Sequence, residues 1–515
     1  MDAAEKAYLE QIRAVMPGPF AGDCAPGASV TLGDISRRVR DVPPAPAPQA
    51  GHDLVALAAG EAARLLGAKT GRALARALEE SFVVTTANHH GLDTHPEFLQ
   101  GVIVFALDRL LDAANPAGVV PVLSTGEVPM SNMAFPQGIF LGRPKAEAST
   151  AYHRFSLFKP KSRKTLVSLQ APFTADDVTC AGKSLAARPF LPFEREILRV
   201  LLDEICGQEA VLGQASYADQ ATVFNALLWP RLFGDAIKPP HLVELDKAEL
   251  ARKLIIKDLS DEHSLIHALL FQPKIRRALL AALSGTLGCW RCQAGDMNIW
   301  SEPVQGTVLF WGVDDQGRAF GLGLAEDGHL VSKAQPQFRL SLNPADLSAA
   351  LERKRILPGL YLSFAAIAIA RGLVCCGGAY QTGYLAEMRS RTAAALHSAG
   401  ESALAQCIGA PAPAPMTTGL MPLRFCAEGE GRSPYPAGPV EILAAGGLTP
   451  AHLEALAGVP AHEAFALYLA YQYEDIIAPG KRIPGWLTHL APRGGVVLGP
   501  GPGRALPLAS GEGKV

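Results

Sequence analysis

Residues 82–100 read FVVTTANHHGLDTHPEFLQ. The run opens as a buried strand, breaks at a turn crowded with polar groups and continues into an apolar helix. Asn88, His89, His90, Asp93, His95 and Glu97 fall within ten consecutive residues of a chain that has only 13 histidines. A strand-to-helix turn is where an α/β protein places its ligand, beyond the carboxyl end of a strand and against a helix N-terminus. Chemistry, if the chain performs any, is expected here. Pro96 suits the first turn of the following helix, where its missing N–H leaves nothing unsatisfied. Asp93 or Thr94 is expected as the N-cap, with Glu97 completing a capping-box pattern from Thr94.

A second strand is expected at residues 118–123, GVVPVL, ending in another polar turn, STGEVPMSN. Strand, helix and strand within about forty residues read as a βαβ unit with a parallel pair. Both turns then lie at one edge of the sheet, which brings Glu127 and Asn132 towards the histidines. Further along, strand character is expected at 165–172 and helical patterning dominates from 192 to 283. Residues 306–324 read as a hairpin turning at DDQG, and NPADLSAALER as a capped helix. Residues 356–388 read as buried helix, strand, Gly-Gly turn and helix, a second strand-to-ligand-to-helix candidate.

These pieces give an α/β fold class: a Rossmann-like parallel-sheet core with helical insertions and an additional C-terminal helical region. The expected organisation is an N-terminal helix and Pro-rich linker over 1–50, the core over 51–390 with a helical insertion at about 190–285, and a mainly helical 391–515 with a tail. The 515 residues are 49% hydrophobic, 19% charged and 7% aromatic, which fits a folded globular chain. A formal charge of −2 supplies no field to hold nucleic acid, so none is expected as a partner. No apolar run is long enough for a membrane span. Nine cysteines at irregular spacing fit reduced thiols and a cytoplasmic location.

Three motifs together resemble the ligase family that adds cysteine in bacillithiol biosynthesis. TANHHGLDTHPEF lies over that family's TGQQxGLxTGPxY without a gap, sharing Thr86, Gly91, Leu92, Thr94 and Pro96, with Asn88 and His89 in place of two glutamines. VPVLSTGE at 120–127 is similar to the family's next strand and its acidic turn. CCGGAYQTGYLAEM at 375–388 resembles YVGGPxEIxYxAQL, sharing Gly377, Gly378, Tyr384 and Ala386. The resemblance touches most of residues 80–390. It implies a Rossmann core of the superfamily that includes class I aminoacyl-tRNA synthetases and pantothenate synthetase, with inserted connecting segments and a helical element that could form a homodimer. The family's acid-histidine-acid cluster after the second strand is missing here, so its cysteine and sugar-malate substrates are not carried over.

The expected activity is that of a ligase-like enzyme forming a C–N or C–S bond. It would join an amino acid, small amine or thiol to a small-molecule acceptor, with ATP or ADP bound. In that superfamily a His-x-Gly-His turn stabilises the phosphate of ATP, which assigns His90 and His95 to phosphate or transition-state stabilisation and Glu127 to the substrate amine or to general-base work. Asn88, His89, Asp93 and Asn132 would orient substrate, and Gly377, Gly378, Tyr380, Tyr384 and Glu387 would form the opposite wall. Lys159, Lys161, Arg163 and Lys164 are the phosphate candidates, although such a run is also an ordinary solvated face. His89, Asp93 and His95 are equally donor types for Zn²⁺ or Fe²⁺, which would make the chain a metal-dependent hydrolase or oxygenase. Helix capping alone also accounts for the turn, and a non-catalytic scaffold with a ligase-like fold is the third reading. Adjacent histidines point apart, so one of His89 and His90 at most joins any one site. Cys289 and Cys292 form a lone CxxC, short of the further ligands that zinc needs.

Overall fold

The computed structural model describes residues 3–15, 22–25, 28–112, 118–145, 152–290, 306–409, 414–427, 434–483 and 495–501. Four short strands build the central sheet: β1 (Val83–Thr85), β2 (Val119–Ser124), β3 (His241–Asp246) and β4 (Val374–Cys376). All neighbours pair in parallel, in the spatial order β4-β1-β2-β3. β-Branched residues dominate β1, and every residue of β1, β2 and β4 is buried, as expected of a parallel sheet covered on both faces. The chain steps outward from β1 through β2 to β3, then returns to the other side of β1 as β4. The strand order therefore reverses between β1 and β4, and the crevice beyond their carboxyl ends is the ligand position of such folds.

Three helices leave this edge: α1 (Pro96–Leu111) after β1, α2 (Lys247–Leu259) after β3 and α3 (Ala379–Ser398) after β4. Helix α1 is buried along almost all of its length, because it lies between the sheet and outer elements and has no solvent face to keep polar. The hairpin expected at 306–324 forms from Phe310–Val313 and Ala319–Gly321, turning through Gly317 at φ +69°. Asn343 caps Pro344–Glu352 by accepting the Asp346 N–H.

Several expectations are corrected. Residues 241–246 form the third sheet strand, so the stretch 190–285 is not a purely helical insertion. HLVELD holds only three apolar residues, Leu242, Val243 and Leu245, without strict alternation, and it runs straight into the helical KAELARKLIIKDL. Residues 165–172 hold only a 3₁₀ turn at Val167–Leu169. The described part of residues 28–50 packs against the core. The helix Leu32–Asp41 buries Leu32, Ile35 and Val39, and its Ser36 Oγ accepts the Asp108 N–H of α1 at 2.8 Å. The Pro-rich stretch is tied down too, with Ala45 N–H donating to Gly372 O at 3.1 Å and Gln49 N–H to Ala370 O at 3.0 Å.

The C-terminal region contributes a small sheet of Leu423–Phe425, Tyr435–Pro436 and Val496–Leu498 as well as helices. Gln100 of α1 stitches it to the core. Its Nε2 donates to Leu423 O and Ala437 O at 3.0 and 2.8 Å, and its Oε1 accepts the Leu423 N–H at 2.7 Å. Gly101 lets the two backbones meet, since a Cβ there would stand 2.8 Å from Thr418 Cα.

Candidate active site

A cavity of about 400 Å³ opens in the crevice between the carboxyl ends of β1 and β4. Thr86, Ala87 and His89 line it from the β1 turn, Glu97 and Phe98 from α1, Thr125 and Glu127 from the β2 turn, and residues 378–381 and Tyr384 from α3. Gln381 ties the two strand ends together, its Nε2 donating to Thr86 Oγ1 at 2.6 Å and to Cys375 O at 3.1 Å. Gly377 has to be glycine here, because a Cβ would fall 2.3 Å from the Gln381 amide carbon. Gly378 is the N-cap of α3 and makes no side-chain cap; the Gln381 N–H of the first turn bonds back to Gly378 O at 3.0 Å.

The two histidines part company. Asn132 Oδ1 accepts the Ala134 N–H at 3.0 Å, which identifies it as the amide oxygen, so His89 Nδ1, 2.7 Å away, must donate to it. His89 is thereby held as the tautomer whose Nε2 carries the lone pair. Burial pushes its pKa down to about 4, with the Asn132 bond opposing and the charge of Lys247 assisting. Asn132 orients the imidazole and does not itself line the cavity.

His90 turns away. Its Nε2–H donates to Ala218 O at 2.9 Å, and its Nδ1 lies 2.5 Å from Ser124 Oγ, whose own proton goes to Leu245 O at 3.3 Å. The ring Nδ1 also sits 3.7 Å from Glu244 Oε1. Burial opposes a charge on the ring, but Glu244 and Asp246 lift the pKa above its ordinary value. His90 borders a different, charged cleft together with Arg64, Asp219, Glu249 and Lys253.

His95 is the N-cap of α1, in place of Asp93 or Thr94. Its Nδ1 accepts the Glu97 N–H at 3.3 Å, and its ring centre lies 4.4 Å from that of Phe140. Burial, with Arg154 nearby, lowers its pKa to about 3, so it stays neutral. Asp93 accepts from Asn88 Nδ2 at 3.0 Å, and burial and Glu244 raise its pKa. The expected pairing of His90 with His95 on a phosphate is therefore not formed. Nor do His89, Asp93 and His95 converge: among the described residues no group of three His, Cys, Asp or Glu side chains is placed to hold a metal ion.

Glu127 reaches the cavity as expected. Its Oε1 accepts Ser363 Oγ–H at 2.9 Å, while its buried Oε2 has no hydrogen-bond partner. Burial raises this carboxyl, and the nearby Lys247 pulls the other way. Lys247 follows β3 directly and is fully buried, with Nζ 2.8 Å from Thr125 Oγ1 and 4.4 Å from the Phe364 ring centre. Tyr380 and Tyr384 also line the cavity; Glu387 does not, and pairs with Arg391 at 2.8 Å. Lys159, Lys161, Arg163 and Lys164 are exposed around the 3₁₀ turn Pro160–Lys164 and line none of it. Cys292 lies outside the described residues, so the CxxC pair has only Cys289 within them.

Sequence reading missed Lys247, Gln381, Thr418 and Tyr468 and took Glu97 only for a cap. Glu97 is the largest omission. It lines the cavity, and burial alone pushes its pKa up to about 8. A carboxyl whose folded-state pKa is raised holds its proton in the native chain after the unfolded chain has released it near the ordinary value of 4.5. Stability is then expected to fall as pH rises from about 4.5 to about 8, by about 1.4 kcal/mol per unit of pKa difference at most. Urea unfolding at pH 5, 6, 7 and 8 should show this slope, and Glu97→Gln should flatten it.

Gly91 shapes the turn, with φ +145° and a hypothetical Cβ only 2.6 Å from Pro136 Cβ. Gly91→Ala is expected to destabilise the chain by about 2–3 kcal/mol through backbone strain and this clash. A urea midpoint unchanged from wild type would contradict it.

Neither a protein-family model, nor a curated protein, nor a solved structure matches the chain. Among the described residues no helix is long and apolar enough to cross a membrane.

Proposed function

We propose that the chain is an enzyme of the Rossmann ligase type that joins an amino acid or small amine to a small-molecule acceptor. The observation that carries this reading is the lining of the cavity: the Glu127 carboxyl, whose Oε2 has no hydrogen-bond partner, and a lone-pair imidazole face it, and no described lysine or arginine lines it. Such a wall favours an ammonium group. The rings of Phe98, Trp311, Tyr380, Tyr384 and Tyr468 add negative π-faces around it. The N-terminus of α3 on the opposite side, where the helix dipole is positive, suits the carboxylate of an amino acid or one phosphate of ATP or ADP.

In this scheme the Glu127 carboxylate takes one proton from the bound ammonium and frees its lone pair, and His89 Nε2 takes the second as the nitrogen attacks the acceptor carbon. Glu97, protonated at neutral pH, gives its proton to the departing group as the C–N bond forms. The resemblance in three motifs supports the same class of reaction. Isothermal titration of amino acids and small amines at pH 7 tests the reading. At least one should bind, with about tenfold or greater loss in Glu127→Gln; no amine binding at all would remove it. Parallel titrations with ATP and ADP decide the nucleotide part separately.

A further inference from the structure

Among the described residues three arginines are buried: Arg252 (8% exposed), Arg371 (3%) and Arg389 (4%). Arg252 is paired with Glu249 at 2.6 Å, and Arg371 with Asp53 and Asp258, both at 2.8 Å. Arg389 has no carboxylate. Its Nη1 donates to Ala368 O at 3.2 Å, its Nη2 to Pro46 O and Ile408 O, and its Nε has no partner. Carbonyl dipoles satisfy hydrogen bonds but leave a full positive charge without a counter-charge, and a buried cation ordinarily has one.

Arg389 borders a cavity of about 280 Å³ whose other walls are mainly apolar, among them Ile369, Leu373, Leu385 and Ala386. Cys375 also lines it, but burial pushes that thiol up to about 12, so it offers no negative charge at neutral pH. The flanking sequence GAPAPAPM at 409–416 contains no acid either. An apolar hollow with one charged group is the usual form of a small-molecule site. Gln381 is shared between this hollow and the cavity at the strand ends, so the two adjoin through one side chain.

We propose that this hollow binds a small apolar monocarboxylate, its carboxylate compensating Arg389 and its hydrocarbon body filling the space towards Ile369 and Leu385. The assignment does not depend on the amine-ligase reading, because none of that reading's catalytic residues lines this hollow. The probes are benzoate and hexanoate, titrated calorimetrically into the full chain against benzyl alcohol and hexan-1-ol. One acid per chain should bind about tenfold or more tightly than its alcohol, the difference expected for a charge-assisted contact. Ala386→Met fills the hollow without touching the bonds of Arg389, and should abolish acid binding while leaving the circular dichroism spectrum unchanged. Equal binding of acid and alcohol, no binding of either acid, or acid binding that survives in a folded Ala386→Met would each overturn the proposal. Should that variant fail to fold, the acid-to-alcohol ratio on the unaltered chain decides alone.

Discussion

Arg371→Met is expected to lower the unfolding free energy by about 3–5 kcal/mol, the range for breaking a buried ion network from one side. The guanidinium is 3% exposed and reaches two carboxylates at once. Nε and Nη2 donate to Asp53 at 2.8 and 2.9 Å, while Nη1 and Nη2 donate to Asp258 at 3.0 and 2.8 Å. Asp53 opens the helix His52–Leu66, Asp258 lies in the last turn of α2, and Arg371 itself stands just ahead of β4. One planar side chain therefore fastens three layers of the fold beneath the sheet. Methionine would fill the volume and leave Asp258 without its cation and Asp53 with Lys257 alone, 2.9 Å away. Arg371→Lys should rescue little, because an ammonium on a flexible stem cannot make the double fork.

The pH dependence of the Arg371 contribution has a definite sign: burial leaves the pKa of Asp258 raised and that of Asp53 is lowered, but the arginine favours the ionised form of both. Burial opposes ionisation of Asp53, but Arg371 and Lys257 hold its carboxyl well below the usual carboxylate range. A folded-state pKa below the unfolded one contributes stability above the unfolded pKa, near 3.9, and that contribution is lost as pH falls through the lower value. Urea titrations between pH 7 and 2 should show the gap between wild type and Arg371→Met narrowing below about pH 4. A constant gap would mean that the arginine acts through packing alone.

The parallel β1–β2 pair, the polar strand-to-helix turn and the position of Glu127 were legible because each rests on local pattern. A β-branched run, a Pro at the first helical position and a polar turn after each strand carry their meaning within a few residues. The divergence of His89 and His90 was legible for the same reason. What they diverge towards was not. The pKa of His90 is raised because Glu244 stands beside it, and Glu244 belongs to β3, whose residues run without a break into α2. Missing β3 hid Lys247 too, since only strand placement brings a lysine 122 positions away to Thr125. Glu97 was obscured by an ordinary local role, a carboxyl in the first turn of a helix. Its perturbation comes from the walls around it, and those include Tyr468, supplied by a region that local pattern leaves unconnected to the core.

These environments also fix how the proposed reaction should depend on pH. His89 acts as the base only when unprotonated, and its pKa is lowered to about 4. Glu97 acts as the acid only when protonated, and its pKa is raised to about 8. With the amine identified by titration, kcat is expected to be flat between these values, falling below about pH 4 and above about pH 8. The two groups have exchanged their ordinary order, because burial penalises whichever form is charged. His89→Gln should reduce kcat by about 10²–10⁴-fold, the usual contribution of a positioned base, with no comparable change in amine affinity. Glu97→Gln should remove the alkaline limb along with most of the rate, since an amide cannot supply the proton at any pH. The limbs separate this assignment from a structural role for either residue: a variant that merely loosened the fold would lower the plateau and leave both limbs where they were. Limbs at the unperturbed values of 6.5 for histidine and 4.5 for glutamate would place the reacting groups elsewhere.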